Sequence, residues 1–153
     1  MDPVARIEGV LVELLGPSVR RYIPSTPSTH PAIFVSQLFE SIRSAIASGD
    51  KSAVSLACDL IARDPMTLPF GKLVKSDLAR ELRRTSEALL ASERTQLIAA
   101  TVRLLGLPYA PRELEDYAKL VRKLPREEYM PGVSAVVTQN EKAARIKAYL
   151  LAQ

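Results

Sequence analysis

Apolar residues spaced three and four apart, in runs that prolines interrupt, constrain this chain more than any other feature. That spacing lays one stripe along a helix of 3.6 residues per turn. Proline ends such a helix, because it lacks an N–H and its ring clashes with the preceding turn. Read between its 11 prolines, the chain predicts helices and little else. Few aromatics (5%, with no Trp) leave Leu, Ile, Val and Ala to fill the core, and Ala and Leu head the helix-propensity order. The expected class is all-α, with six to seven helices in an irregular bundle.

The first helix is expected from about Pro3 to Leu15, with Asp2 as N-cap, Pro3 at the first helical position and Gly16-Pro17 as the stop. Val4, Ile7, Leu11, Leu14 and Leu15 make its apolar stripe, which Val10 and Val12 widen. The next stretch, GPSVRRYIPSTPSTHP, carries prolines at 17, 24, 27 and 31. It is expected to be an extended tether, because proline fixes φ and removes donors. The organisation that follows is an amphipathic helix over 1–16, a tether over 17–31 and a helical domain over 32–153. A tethered apolar helix can dock on its own core, a partner or a second copy. Exchange between two copies reuses existing complementarity, so a homodimer joined through residues 1–16 is the expectation.

Helices are then expected at about Ala32–Ser48 and from Asp50 to before Pro65, with Gly49 in the left-handed turn and Asp50 as cap. A fourth runs from Pro69 to Ala91, a fifth starts at the Ser92 cap and closes at Gly106, and a sixth runs from Pro111 to Pro125. PREEYMPGVSAVV reads as irregular, its VSAVV as a short extended stretch. A capping box from Thr138 to Glu141 opens the last helix.

Sliding the chain over itself by 43 residues aligns Val35 with Leu78, Phe39 with Leu82, Ile46 with Leu89, Val54 with Leu97, Ala57 with Ala100, Ile61 with Leu104 and Pro65 with Pro108. Two pairs of the HEAT or armadillo size class would produce this. So would any two amphipathic hairpins, whose stripes recur every three or four residues. The stretch from Ser48 to Pro65 resembles the second helix of a tetratricopeptide unit through Ala53, Ala57, Leu60 and Pro65, without that family's first-helix pattern. No family follows from it.

Chemistry-bearing residues are sparse. His30 and Cys58 are each the only residue of their type, whereas zinc sites use three or four such ligands; no metal or cofactor is expected. His30 reads as solvated and Cys58 as a small core residue. Glu113, Glu115 and Asp116 fall in the first turn of a helix, where carboxylates favour the positive end of its dipole. FGKLVKSD lacks the second glycine and the adjacent Lys-Ser/Thr of a phosphate loop. An enzyme is therefore the less favoured reading.

Of the net charge of +4, residues 67–108 carry +3 and residues 109–153 carry +2, offset by −1 over 32–66. On the fourth helix, Lys72, Lys75, Arg80, Arg83 and Arg84 lie away from Val74, Leu78, Leu82 and Leu89. A face of this kind neutralises phosphates and releases counterions, although Glu87 shares it and no aromatic interleaves with it. The leading expectation is a non-enzymatic adaptor, regulator or assembly factor that binds protein. The alternative is an accessory nucleic-acid-binding protein using residues 72–84. Neither a signal peptide nor a run long enough to cross a bilayer is visible, so a cytoplasmic protein without membrane contact is expected.

Overall fold

The computed structural model describes residues 2–65 and 73–153. Among these it forms eight α-helices and two 3-10 turns, and no strand. The helices are α1 (Pro3–Leu15), α2 (Pro31–Ala47), α3 (Lys51–Arg63), α4 (Val74–Arg84), α5 (Ala91–Leu105), α6 (Leu114–Val121), α7 (Arg126–Ala135) and α8 (Glu141–Leu151). The all-α class agrees with the sequence, and the count exceeds the six to seven it suggested.

The α2–α3 hairpin forms as its turn residues dictate. Gly49 takes φ +89°, a conformation that strains residues with a side chain. Asp50 Oδ1 accepts the Ser52 and Ala53 amides at 2.9 and 3.3 Å, satisfying donors that the first turn of a helix leaves orphaned. Ile42 and Ile46 of α2 then meet Ala53, Ala57 and Leu60 of α3 in the buried core.

The first part of segment 17–31 is folded rather than extended, while residues 24–30 form no helix. Pro17–Tyr22 is a 3-10 helix, whose φ range includes the value proline imposes. With three residues per turn, positions i and i+3 fall on one side, so Val19 and Tyr22 are both buried. The Tyr22 hydroxyl donates to Asp50 Oδ2 at 3.1 Å, and Arg21 donates to Ser52 Oγ at 3.1 Å. Further on, the Ser28 amide donates to Gln37 of α2. Pro17 thus opens a docked turn rather than an extended chain, and α1 packs on this turn, α2 and α3 of its own chain.

Three other segments depart from the expectation. The fourth helix ends at Arg84 rather than Ala91, and a 3-10 turn over Ser86–Ala88 follows; its expected start near Pro69 lies outside the described residues. PREEYMPGVSAVV, read as irregular, is mostly α7. Glu127 and Glu128 in its first turn favour the helix dipole, and burial of Tyr129 and Val133 on one side offsets the amide that Pro131 lacks. Gly132 permits the close approach to α5, since a Cβ there would stand 3.1 Å from Val102 Cγ2. Finally, the caps shift: Asn140, not Thr138, accepts the Ala143 amide at 2.8 Å, and α5 begins at Ala91, where buried Glu93 accepts the Leu90 amide at 2.8 Å in place of a Ser92 cap.

Packing joins alternate helices. Consecutive members of α2, α4, α6 and α8 touch, as do those of α3, α5 and α7. Contacts of α3 with both α2 and α4, of α5 with α6, and of α7 with α8 close the space between the two rows. One continuous apolar cluster fills it, reaching from Leu11 and Leu15 of α1 to Ala143 and Leu150 of α8.

Candidate functional site

The site marked by the sequence is the basic side of α4, and three of its four described cations, Lys75, Arg80 and Arg84, turn out to be engaged. Val74, Leu78 and Leu82 face the core as expected. Lys75, only 16% exposed, donates to Asp64 and stands 3.8 Å from Glu113. Arg80 grips Asp116 of α6 through Nε and Nη2 at 3.2 and 3.4 Å, and reaches Asp77 at 3.4 Å. Arg84 bonds Glu81 one turn earlier at 3.0 Å. Arg83 is exposed and, among the described residues, makes no ion pair; Lys72 lies outside the described residues. Glu113 and Asp116 thus bind the α4 cations as well as occupying the start of α6. Sequence alone placed them only on their own helix.

Asp64 is the centre of this arrangement. It ends α3 in the left-handed conformation (φ +47°), which Asp and Asn tolerate better than other residues with side chains. From there its carboxylate accepts Lys75 of α4 and Arg103 of α5. Burial on its own would raise the Asp64 pKa; the bonds to Lys75 and Arg103 outweigh it and hold the acid below its ordinary range. The Asp64-Pro65 pair reads in sequence only as a helix stop, with no sign of these distant partners.

Beneath this cluster lies Tyr117 of α6, fully buried, its hydroxyl without a hydrogen-bond partner among the described residues. Its acidity is suppressed first by burial and then by the negative charges of Asp64 and Glu113. An unsatisfied buried hydroxyl costs about 1–3 kcal/mol. Tyr117→Phe is accordingly expected to raise the urea midpoint, by a stability gain of about 1 kcal/mol. A lowered midpoint would show that a bound water or other partner satisfies the hydroxyl.

The stripe assigned to docking or dimerisation is covered within the chain. Leu11 and Leu15 are buried, and Val4, Ile7 and Leu14 pack against the core while half-buried. Cys58 is fully buried, and burial, with the nearby charges of Glu93 and Asp59, pushes its thiol up to about 12. A nucleophilic cysteine needs the opposite shift. His30 is exposed at the start of α2. No described helix is long and apolar enough to cross a membrane.

Among the surface grooves of the described residues, which the sequence did not reveal, three lie beside α2, α4, α6 and α8. One, of about 260 Å³, runs between α6 and α8 and is lined by Glu115, Ala118 and Lys119 of α6 and by Lys142, Arg145, Ile146 and Tyr149 of α8. A second, of about 200 Å³, lies between α2 and α4 around Phe39, Arg43 and Asp77. The third, of about 290 Å³, sits beside the α2–α3 turn around Ile46, Val54 and the exposed Leu90. The helical period shows which face of each helix is apolar but not which helices become neighbours. The grooves follow from the latter.

No protein-family model matches this chain, and no curated protein and no solved structure matches it either.

Proposed function

We propose that this chain is a non-enzymatic adaptor that binds protein through grooves of a short helical array. In this reading α2 with α4, and α3 with α5, stack as successive layers of the HEAT-like size class, although α4 and α5 do not pack on each other as α2 and α3 do. Support comes from the positions aligned by the 43-residue offset: Val35 and Leu78, Phe39 and Leu82, Ile46 and Leu89, Val54 and Leu97, Ala57 and Ala100, and Ile61 and Leu104 are all buried. The packing of α2 on α4 and of α3 on α5 points the same way. Stacked pairs present extended binding surfaces between neighbouring repeats.

The observation that carries the function is the contrast between the two kinds of surface. The cations of α4 that would neutralise phosphate are largely bonded to Asp64, Asp77, Glu81 and Asp116, while mainly apolar grooves stay open between α6 and α8 and beside the α2–α3 turn. Arg83 and Arg84, both exposed, keep the nucleic-acid alternative in play.

The two readings separate by salt. Phosphate-driven binding weakens steeply with ionic strength, and apolar docking does not. The full chain is used to capture partners in the presence and absence of nuclease, and each captured protein is then purified and titrated at about 50 and 200 mM salt. A protein partner that survives nuclease, and whose Kd rises by about tenfold or less where a duplex held by several phosphates would lose roughly a thousandfold or more, is the expected result. Retention that nuclease abolishes, together with duplex binding that Arg83→Glu/Arg84→Glu removes, overturns the adaptor in favour of the nucleic-acid reading.

A further inference from the structure

We infer that the α6–α8 groove is the docking site for an acidic peptide segment that inserts an apolar side chain. The inference rests on the adaptor reading and names the surface and the partner chemistry. Three features carry it, beginning with size. A groove of about 260 Å³ is smaller than the ~300–1,000 Å³ typical of small-molecule sites, and it suits one or two side chains of a peptide.

The second feature is charge. Lys119, Lys142 and Arg145 border the groove against one carboxylate, Glu115, which Lys119 approaches at 3.8 Å. Lys142 and Arg145 form no ion pair among the described residues. Unlike Lys75 and Arg80 of α4, these cations have no acid from a neighbouring helix to hold them among the described residues. A cationic rim around an apolar floor selects a negatively charged partner and repels a positive one.

The third feature is rigidity. Tyr149, 43% exposed, forms one wall. The Arg122 guanidinium lies 4.8 Å from its ring centroid and also donates to its backbone carbonyl. Arg126 fastens the same end of α8 through the carbonyls of Leu151 and Ala152 at 2.8 and 3.0 Å. The aromatic wall is therefore held in place before any partner arrives. Less side-chain entropy is lost on binding as a result, and tyrosine is among the residues that most often anchor interfaces.

The test uses the full-length chain and a random displayed library of twelve-residue peptides. Peptides enriched on the wild type are synthesised, labelled and titrated against wild type, Lys142→Glu/Arg145→Glu and, on the opposite wall, Lys119→Glu. A labelled single-stranded oligonucleotide is titrated in parallel. Both variants alter solvent-facing charge, and unchanged thermal midpoints establish that they fold. The expected result is enrichment of acidic peptides bearing Leu or an aromatic, with affinity lowered at least tenfold in the double variant and less in the single one. Enriched peptides that bind all variants equally would overturn the groove assignment and leave the adaptor reading standing. Failure to enrich any acidic peptide also overturns the assignment. Variant-sensitive binding by the oligonucleotide alone overturns it in favour of nucleic acid.

Discussion

Leu11→Ala is expected to destabilise the protein by about 3 kcal/mol, because truncating a fully buried leucine removes transfer energy and leaves a cavity, at a cost of roughly 2–5 kcal/mol. Leu11 is completely buried although it lies in a terminal helix, the place where fraying ordinarily makes substitutions cheap. Its surroundings explain the difference. α1 rests on α2, α3 and the 17–22 turn, Arg63 of α3 donates to the Leu14 carbonyl at 2.9 Å, and Val19 and Tyr22 seal the side that a loose tether would leave open. A loss of this size is a large fraction of the ~5–15 kcal/mol that holds a typical domain folded. Urea denaturation at several protein concentrations makes the measurement decisive. Docking within one chain gives midpoints independent of concentration for wild type and variant, whereas exchange of α1 between two copies makes both rise with concentration. A loss below about 1 kcal/mol would mean that α1 is not part of the core.

Asp64→Asn is expected to cost about 2 kcal/mol at pH 7, and the difference from wild type is expected to shrink progressively in acid. Asn tolerates the left-handed conformation that Asp64 adopts, so the substitution isolates the charge. It leaves Lys75 mostly buried with only Glu113, at 3.8 Å, to face it. Breaking a fully buried pair costs roughly 3–5 kcal/mol, but Arg103 is half exposed and screened by water, which brings the figure down. The sign of the pH dependence follows from the lowered Asp64 pKa. The unfolded chain takes up this proton near pH 3.9 and the folded chain only at lower pH. The stabilisation is therefore complete above about pH 5 and is lost as pH falls through the folded-state pKa. Urea midpoints of both proteins should differ most at about pH 7, and the gap should begin to narrow as pH falls below about 4 and go on narrowing in stronger acid. An equal gap at every pH would mean that the carboxylate charge contributes nothing.

Much of the secondary structure was legible because its causes are local. Asp2, Gly49 and Asp50 act on amides or dihedrals within a few residues, and the buried stripes of α2, α3 and α5 follow directly from the helical period. Local signals misled where proline and serine suggested looseness. The 17–22 segment and α7 owe their order to burial against helices distant in sequence, through Val19, Tyr22, Tyr129 and Val133. The candidate sites were harder still. Asp64 meets Arg103 across 39 residues and Arg80 meets Asp116 across 36. No pattern along the chain indicates which carboxylate will neutralise which cation. Periodicity and caps are properties of neighbouring residues, so the sequence by itself determined the all-α class, the hairpin turn and most of the core. Ion-pair partners and grooves are properties of which helix faces which, and only the tertiary structure decided that Lys75 and Arg80 of α4 are held by acids of other elements while Lys142 and Arg145 beside the α6–α8 groove have no ion pair among the described residues.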